Sequence, residues 1–539
     1  MIAPLATIWM PEASRDLFWF SPELALAGTI VFILVATLIA GRRPDLVATI
    51  AMLGAATTVL LTLRVGRAVA DGGLSGLSPL PDSGMLIADN LSVYFKLVLM
   101  LFLAGVTGLW WIGSSRTERN APEFFVLLLG SALGMALMVG TLNLLMMVIA
   151  IELASLSSFA IVAFDKSNRR AAEASLKYAI FGAVSTAIML YGISLLYGMY
   201  QTLNVGQIAA RIVQEFAGGG DWLLPGIAML CVLCGILFKI SAVPFHFWCP
   251  DAFEGAKIEV TTWLSVVSKT AGLLLLLRLT WVIGSAAGAA GPDAPLLGPV
   301  AWCIGLVAAI TSTVGNLSAY RQTSVKRLLA YSSIAHAGYM LMAAAILVYP
   351  AGTGSSAPIA AVLVYVLVYL FMNLGAFGVT ALVAWESGGD DSIGAFTGLA
   401  RRAPWLAVPM IFCLVSLVGL PPFGGFVAKF WLLYALARDG AACYGLGWFL
   451  FVVAVLNTLV SLFYYLRIIK QMALHDAGRP ALRTSFGGAA LVNACGVALL
   501  VLGLFVIGSV KRSADRYADN LFRPADISLD AHATGNPLE

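Results

Sequence analysis

Apolar runs long enough to cross a bilayer recur along the whole chain, parted by short breaks rich in charge, glycine or proline. A span needs about 20 largely apolar residues. About fourteen runs meet that length, centred roughly on residues 30, 55, 102, 130, 153, 186, 233, 270, 306, 337, 370, 418, 458 and 497. They predict an all-α polytopic membrane protein. Two runs are interrupted, at Pro244-Phe245 in the seventh and at Pro422-Phe423 in the twelfth. Proline lacks the N–H that a helix needs, so both predict discontinuous helices. The segment after Lys511, with its Asp, Ser and Asn, reads as a polar tail, and no stretch is long and polar enough for a separate soluble domain.

Composition agrees with the pattern. Of 539 residues 60% are hydrophobic and 11% charged, with mean hydropathy +0.92. Soluble domains carry roughly 25% charged residues, so this chain cannot cover a water-facing surface. A net charge of +4 gives no footprint for nucleic acid. The seven cysteines are scattered through apolar runs and form no disulfide framework. Cys231 and Cys234 have CxxC spacing, but inside an apolar run with no second pair they read as packing. No cleaved signal is evident at the N-terminus.

Charge placement orients the runs, because cytoplasmic loops are enriched in Lys and Arg. One set of alternate loops holds Arg42, Arg43, Arg116, Arg119, Lys166, Arg169, Arg170, Lys257, Arg321, Lys326, Arg327, Arg401, Arg402, Arg467, Lys470, Arg479 and Arg483. The opposite loops hold Arg64, Arg67, Arg211 and Arg438, and the termini add Arg15 and the tail cluster Lys511, Arg512, Arg516 and Arg523. The first set is expected in the cytoplasm. Both termini are then expected outside it.

After this sorting some charges remain within spans: Glu152, Lys239, Lys269 and Lys429 deeply, and Glu23, Lys96, Glu173, Lys177 and Arg278 nearer the ends. A charge at mid-bilayer costs at least ~2.5–3.5 kcal/mol. Snorkelling to the headgroups accounts for Lys96 and Arg278. It fails for Glu152 and Lys269, which have long apolar flanks on both sides, and these point to ion or proton transport. Pro244 is expected to free a backbone carbonyl near Lys239, and such freed groups are tolerated only beside protein or water. A lysine beside an interrupted helix marks a hydrated polar cavity at mid-depth. The device recurs in "VSLVGLPPFGGFVAKFW", 415–431, with Lys429 after the break instead of before it, as two repeats of inverted orientation would give. His336, among Ser332, Ser333 and Tyr339, fits either a satisfied core residue or a proton relay.

These residues also carry a resemblance. "FKISAVPFHFWCPDAFEGA" followed by "VTTWLSVVSKTAG", with "EASLKYAIFGAVSTAIMLYG", "NLSAYRQTSVKRLLAYSSIAHAGYM" and "GLPPFGGFVAKF", is similar to the antiporter-like subunit N family of respiratory complex I, the proton-pumping NADH:quinone oxidoreductase. The match runs over spans five to twelve. One departure is Lys257-Ile258-Glu259, where that family usually has prolines after Glu-Gly-Ala, which puts the local loop geometry in question.

The resemblance implies fourteen helices with two inverted five-helix repeats and discontinuous helices 7 and 12. Its divisions here are 1–120 for three N-terminal helices, 121–285 and 286–475 for the repeats, and 476–539 for the last helix and tail. It implies Glu152 as the partner of Lys239, Lys269 as the central lysine, Lys429 as the group leading outward, and Lys177 as a sixth-span lysine of less defined role. The implied function is proton translocation through a Glu/Lys/His chain, coupled to quinone reduction elsewhere in the inner membrane complex. No cofactor or metal is expected on this chain; NADH, flavin, iron–sulfur clusters and quinone belong to partner subunits, and the partners are other membrane subunits and lipid. A subunit of an Mrp-type cation/proton antiporter, a membrane-bound hydrogenase module and a plain structural anchor stand as alternatives.

Overall fold

The computed structural model describes residues 17–70, 85–113, 120–217, 219–220, 222–290, 297–348, 357–440, 445–475, 482, 484–505 and 508. Arg15, Arg116, Arg119, Arg479, Arg483 and the tail after Lys511 lie outside the described residues. Thirteen helices among the described residues are long and apolar enough to cross a membrane. The first six are α1 (Ser21–Ala40), α2 (Pro44–Ala70), α3 (Asn90–Ile112), α4 (Ala121–Val139), α5 (Leu144–Val162) and α6 (Arg169–Tyr200). A short amphipathic helix, α7 (Val205–Ala217), precedes the seventh span, which is α8 (Leu223–Ile240) followed after a break by α9 (Trp248–Gly255). The eighth is α10 (Ile258–Trp263), a π-helical turn at Leu264–Ser268, and α11 (Lys269–Ala290). Then come α12 (Leu297–Tyr320), α13 (Val325–Leu347) and α14 (Ala357–Glu386). A short α15 (Leu399–Arg402) leads into α16 (Pro404–Val418) and α17 (Gly424–Arg438), and α18 (Leu446–Leu474) and α19 (Phe486–Leu504) follow. The one expected span missing from these thirteen, the twelfth near residue 418, is the broken pair α16 and α17, each half too short to count as a full crossing. The expected repeat boundary at 285/286 falls inside α11, which runs on to Ala290.

Side chains on α1 and α18 such as Leu38, Ile39 and Phe463 are exposed, as lipid-facing residues must be. The core instead lies around α13 and α14, which are buried along almost their whole length. Asparagine and serine caps start the helices: Asn143 accepts from the Leu145 and Met146 N–H groups, Asn168 from Arg170, and Ser324 from Arg327.

Two of these caps reveal the repeat. Around Asn143, the Leu144 N–H donates to the Leu203 carbonyl and the Val205 N–H to the Leu142 carbonyl. Around Ser324, the Val325 N–H donates to the Asp391 carbonyl and the Ile393 N–H to the Thr323 carbonyl. In each case the start of the second helix of a set is bridged to the chain just after the third. The two caps belong to the fifth and tenth spans, an odd number of crossings apart, so the corresponding helices run in opposite directions. The packing repeats as well: α4 lies on α5 as α12 lies on α13, and α6 holds the halves α8 and α9 as α14 holds α16 and α17.

The two breaks share one construction. Ser241 is left-handed (φ 63°); its N–H donates to the Phe238 carbonyl and the next, Ala242, to the Leu237 carbonyl. Gly419 is left-handed (φ 89°); its N–H donates to the Ser416 carbonyl and that of Leu420 to the Val415 carbonyl. This is the same helix-ending motif twice. It corrects the expectation that Pro244 breaks the seventh helix, because α8 has already ended at Ile240 and the prolines follow the turn.

The three N-terminal helices are fastened by two buried ion pairs. Lys96 Nζ lies 2.5 Å from Glu23 Oε1. Arg278 grips the Asp89 carboxylate through both nitrogens, at 2.7 and 2.9 Å. Lys96 and Arg278 are 4% and 2% exposed, so neither snorkels. Each is neutralised in place, and removing one partner of such a pair costs about 3–5 kcal/mol.

Candidate functional site

Lys239 sits in the last turn of α8, fully buried. Its ammonium donates to the Ser155 hydroxyl on α5 at 3.2 Å. Glu152, one turn earlier on α5 and only half-buried, accepts a 2.5 Å hydrogen bond from the Thr186 hydroxyl of α6. No ion pair within 4 Å joins Glu152 to Lys239 among the described residues, so the expected partnership is one of field and not of contact. The Glu152 charge does act on Lys239, with Ser155 holding the ammonium on the same helix face, since positions three apart are neighbours.

Lys269 follows the π-helical turn at Leu264–Ser268, a local widening often found where a helix serves a site. Its ammonium donates to Ser333 Oγ of α13 and to Cys249 Sγ of α9 at 3.2 Å, and lies 5.0 Å from the centre of the Phe253 ring. Cys249 and Phe253 are four residues apart on α9, so one face of this half-helix is given to Lys269. Nearby, Ser268 Oγ, Thr270 Oγ1, Tyr369 OH and His246 Nδ1 have no hydrogen-bond partner among the described residues. Buried polar atoms normally have one, and water is the usual substitute.

His336, one turn after Ser332 and Ser333 on α13, is buried between hydroxyls. Its Nδ1 lies 2.7 Å from the Tyr365 hydroxyl and its Nε2 3.4 Å from that of Tyr465, which is bonded to Ser332 Oγ. Hydroxyls donate or accept as needed, so this ring can hold or pass a proton at either nitrogen. The tyrosines satisfy the ring as a core environment would and keep it competent as a relay.

Lys429 lies on α17 and reaches back across the break to the Val418 carbonyl at 2.9 Å, while its ammonium stands 4.8 Å from the centre of the Tyr339 ring. The Tyr339 hydroxyl accepts from Asn316, which also meets Asn457 and Tyr464. Two glycines make the approach possible. At Gly425 an added Cβ would lie 1.8 Å from the Ser416 carbonyl oxygen, and at Gly419 one would lie 2.7 Å from Lys429 Cδ.

Lys177 is elsewhere. It pairs with Glu173 at 2.8 Å and Asp251 at 3.1 Å, and is 43% exposed. Asp251 and Glu254, on the other face of α9, are both held by Arg327, at 3.0 and 2.5 Å. Lys326 donates to the carbonyls of Glu254 and Ala256. The structure thus joins Lys177 to a cluster at the bundle end where Arg170, Lys326 and Arg327 gather, and not to half-buried Glu152 or to the buried Lys239, Lys269, His336 and Lys429. Asp251, Glu254 and Arg327 were not singled out from sequence as site residues; the Pro-Asp-x-x-Glu-Gly spacing was their signal. Ser155 and Cys249 had none.

The chemistry of the line is plain. Among the described residues, Lys239, Lys269 and Lys429 have hydroxyl, thiol, carbonyl and ring partners, and none is in an ion pair. Such partners orient an ammonium without trapping its proton. No three His, Cys, Asp or Glu side chains converge as a metal site among the described residues.

Comparison with known proteins covers most of the chain. Residues 141–461 match the family model for the membrane region of NADH:quinone oxidoreductase/Mrp antiporter proteins. NADH-quinone oxidoreductase subunit N of Anaeromyxobacter sp. (strain Fw109-5) is 38% identical over 523 residues, covering 92% of this chain and 95% of the relative. Subunit N 2 of Rhizobium meliloti (strain 1021) is 35% identical, covering 90% and 94%. A chain of respiratory complex I from Thermus thermophilus, solved with bound aureothin, matches with TM-score 0.71 and 29% identity over 91% of this chain and 99% of that one. A chain of the Mrp complex from Dietzia sp. DQ12-45-1b, at 21% identity and TM-score 0.75 over 94% and 98%, shares the fold.

Proposed function

As this chain belongs to the NADH:quinone oxidoreductase/Mrp antiporter family, with subunit N proteins among its relatives, we propose that it is the proton-translocating, antiporter-like membrane subunit of an NADH:quinone oxidoreductase. One observation carries the mechanism: Lys239, Lys269, His336 and Lys429 lie buried across the two repeats, each on neutral partners. A proton leaves the Lys239 ammonium for the Lys269 amine, through water at the polar groups near Lys269, and returns Lys239 to neutrality. It then moves by way of His336 to the Lys429 amine and out. Glu152 sets how readily Lys239 holds charge, and a neighbouring membrane subunit acts on that half-buried carboxylate. The Lys177–Asp251–Arg327 cluster forms the mouth on the side of α9 away from Lys269.

The chain is read as three N-terminal helices, two repeats joined after Ala290, and a last helix with the tail. It is placed in the inner membrane with the mouth cluster facing the cytoplasm and both termini outside. NADH, flavin, iron–sulfur clusters and quinone are assigned to partner subunits.

The test is Lys269→Ala. The complex should assemble while losing most proton pumping and coupled quinone reduction. Wild-type acidification of inverted vesicles by the variant refutes the proposal.

A further inference from the structure

We propose that Cys249 is a positioning residue for Lys269, the neutral acceptor that holds the central ammonium at the crossing point of the two repeats. The inference rests on the proton-line reading above. Cys249 is fully buried in the first turn of α9, and its sulfur lies 3.2 Å from Lys269 Nζ. The break after α8 is what brings it there. The turns through 241–247 separate α9 from α8, and the Cys249–Phe253 face of α9 meets Lys269 while Asp251 and Glu254 meet the mouth cluster.

The groups facing this pair come from every side. Ser333 and His336 stand on α13, Phe253 on α9 and His246 in the break, while Tyr178 of α6 and Tyr369 of α14 are within electrostatic reach of the thiol. Among the described residues no carboxylate stands within 4 Å of Lys269. The charged lysine therefore depends on two acceptors, Ser333 and Cys249, and on a ring face. A thiol is a weak acceptor. It orients the ammonium along the line and releases it more easily than a carboxylate would. Ser333 alone, on the far side, would draw the ammonium toward α13 and away from α9.

Two pairs of substitutions test the acceptor, the isosteric pair Cys249→Val against Cys249→Thr, which holds shape constant, and the smaller pair Cys249→Ala against Cys249→Ser. Each is measured in membranes holding the assembled complex, as the pH profile of proton pumping. The hydroxyl variants keep an acceptor and should keep the wild-type profile. The apolar variants leave the charged lysine short of one, so their pumping should fall roughly tenfold further near pH 8.5 than near pH 6. Should the Ala variant fail to assemble, the Val and Thr pair carries the comparison. Apolar and hydroxyl variants with the same profile overturn the assignment. Lys269→Ala distinguishes the two failures: if it abolishes pumping while Val and Thr behave alike, only the role of Cys249 falls, and if it pumps normally, the proton line itself falls.

Discussion

Gly425→Ala tests whether the second break is a working part. The added Cβ would stand 1.8 Å from the backbone oxygen of Ser416, where ordinary contacts begin at 3.4 Å, so the two half-helices must part by about 1.6 Å. Neither contact atom is the free end of a side chain, and the strain cannot be relieved by a rotamer change. Lys429 lies one turn beyond Gly425 on α17 and moves with it. Its 2.9 Å hydrogen bond to the Val418 carbonyl would stretch beyond useful range. A hydrogen bond to a charged group contributes about 1.5–3 kcal/mol, so the charged form of Lys429 should become roughly tenfold or more scarcer. Overpacking itself costs about 1–3 kcal/mol, which a large membrane assembly can absorb. The assay compares NADH-driven acidification of inverted vesicles with complex content on native gels. Gly198→Ala is the control, since a methyl there meets open space within its helix. Pumping near the wild-type rate per assembled Gly425→Ala complex would refute the role given to the Lys429–Val418 contact.

Glu152→Gln removes the charge that acts on Lys239 while leaving an amide for Thr186, so turnover should fall less near pH 6 than near pH 8.5; a profile lowered uniformly counts against coupling through the field. Cysteines placed beside Arg169 should react with impermeant thiol reagents from the cytoplasmic side only, and ones beside Arg211 from the outside only. The reverse pattern would invert the assigned direction of transport.

The spans were legible because hydrocarbon imposes one strict demand, a long apolar segment with its backbone bonds satisfied internally. The charges left over after that count were legible for the same reason, and the structure buries Lys239, Lys269 and Lys429 as expected. What could not be read was pairing at a distance. Lys96 and Arg278 look like end-of-helix snorkellers because Glu23 and Asp89, which neutralise them, are remote in the chain. Ser155 and Cys249 carry no signal in the sequence, since a hydroxyl or thiol announces itself only when an ammonium is found against it. The cause of the first break was also misread. Proline is visible in a sequence, whereas a serine in a left-handed turn is not, and at Ser241 it is the turn that ends the helix.

The asymmetry of the lysines about the breaks now has a physical sense. Lys239 precedes its break and Lys429 follows its own, yet both ammonium groups belong to the carbonyl end of a half-helix. Lys239 is in the last turn of α8, and Lys429 donates across the gap to the last carbonyl of α16. The C-terminal end of a helix carries partial negative charge, which favours a cation by about 0.3–1 kcal/mol at exposed sites and up to ~2 kcal/mol in partly buried ones. In the first repeat the Phe238 carbonyl, which already accepts from the Ser241 N–H, also takes the Trp248 indole N–H at 3.2 Å, and Lys239 is held by Ser155. In the second the lysine itself takes the last carbonyl of the half-helix, that of Val418. One backbone device thus produces two different settings: an ammonium held by a side chain near a carboxylate, and one held by a backbone carbonyl and the face of Tyr339. On the proposed proton path, the first is the setting a partner perturbs and the second the one that passes the proton on.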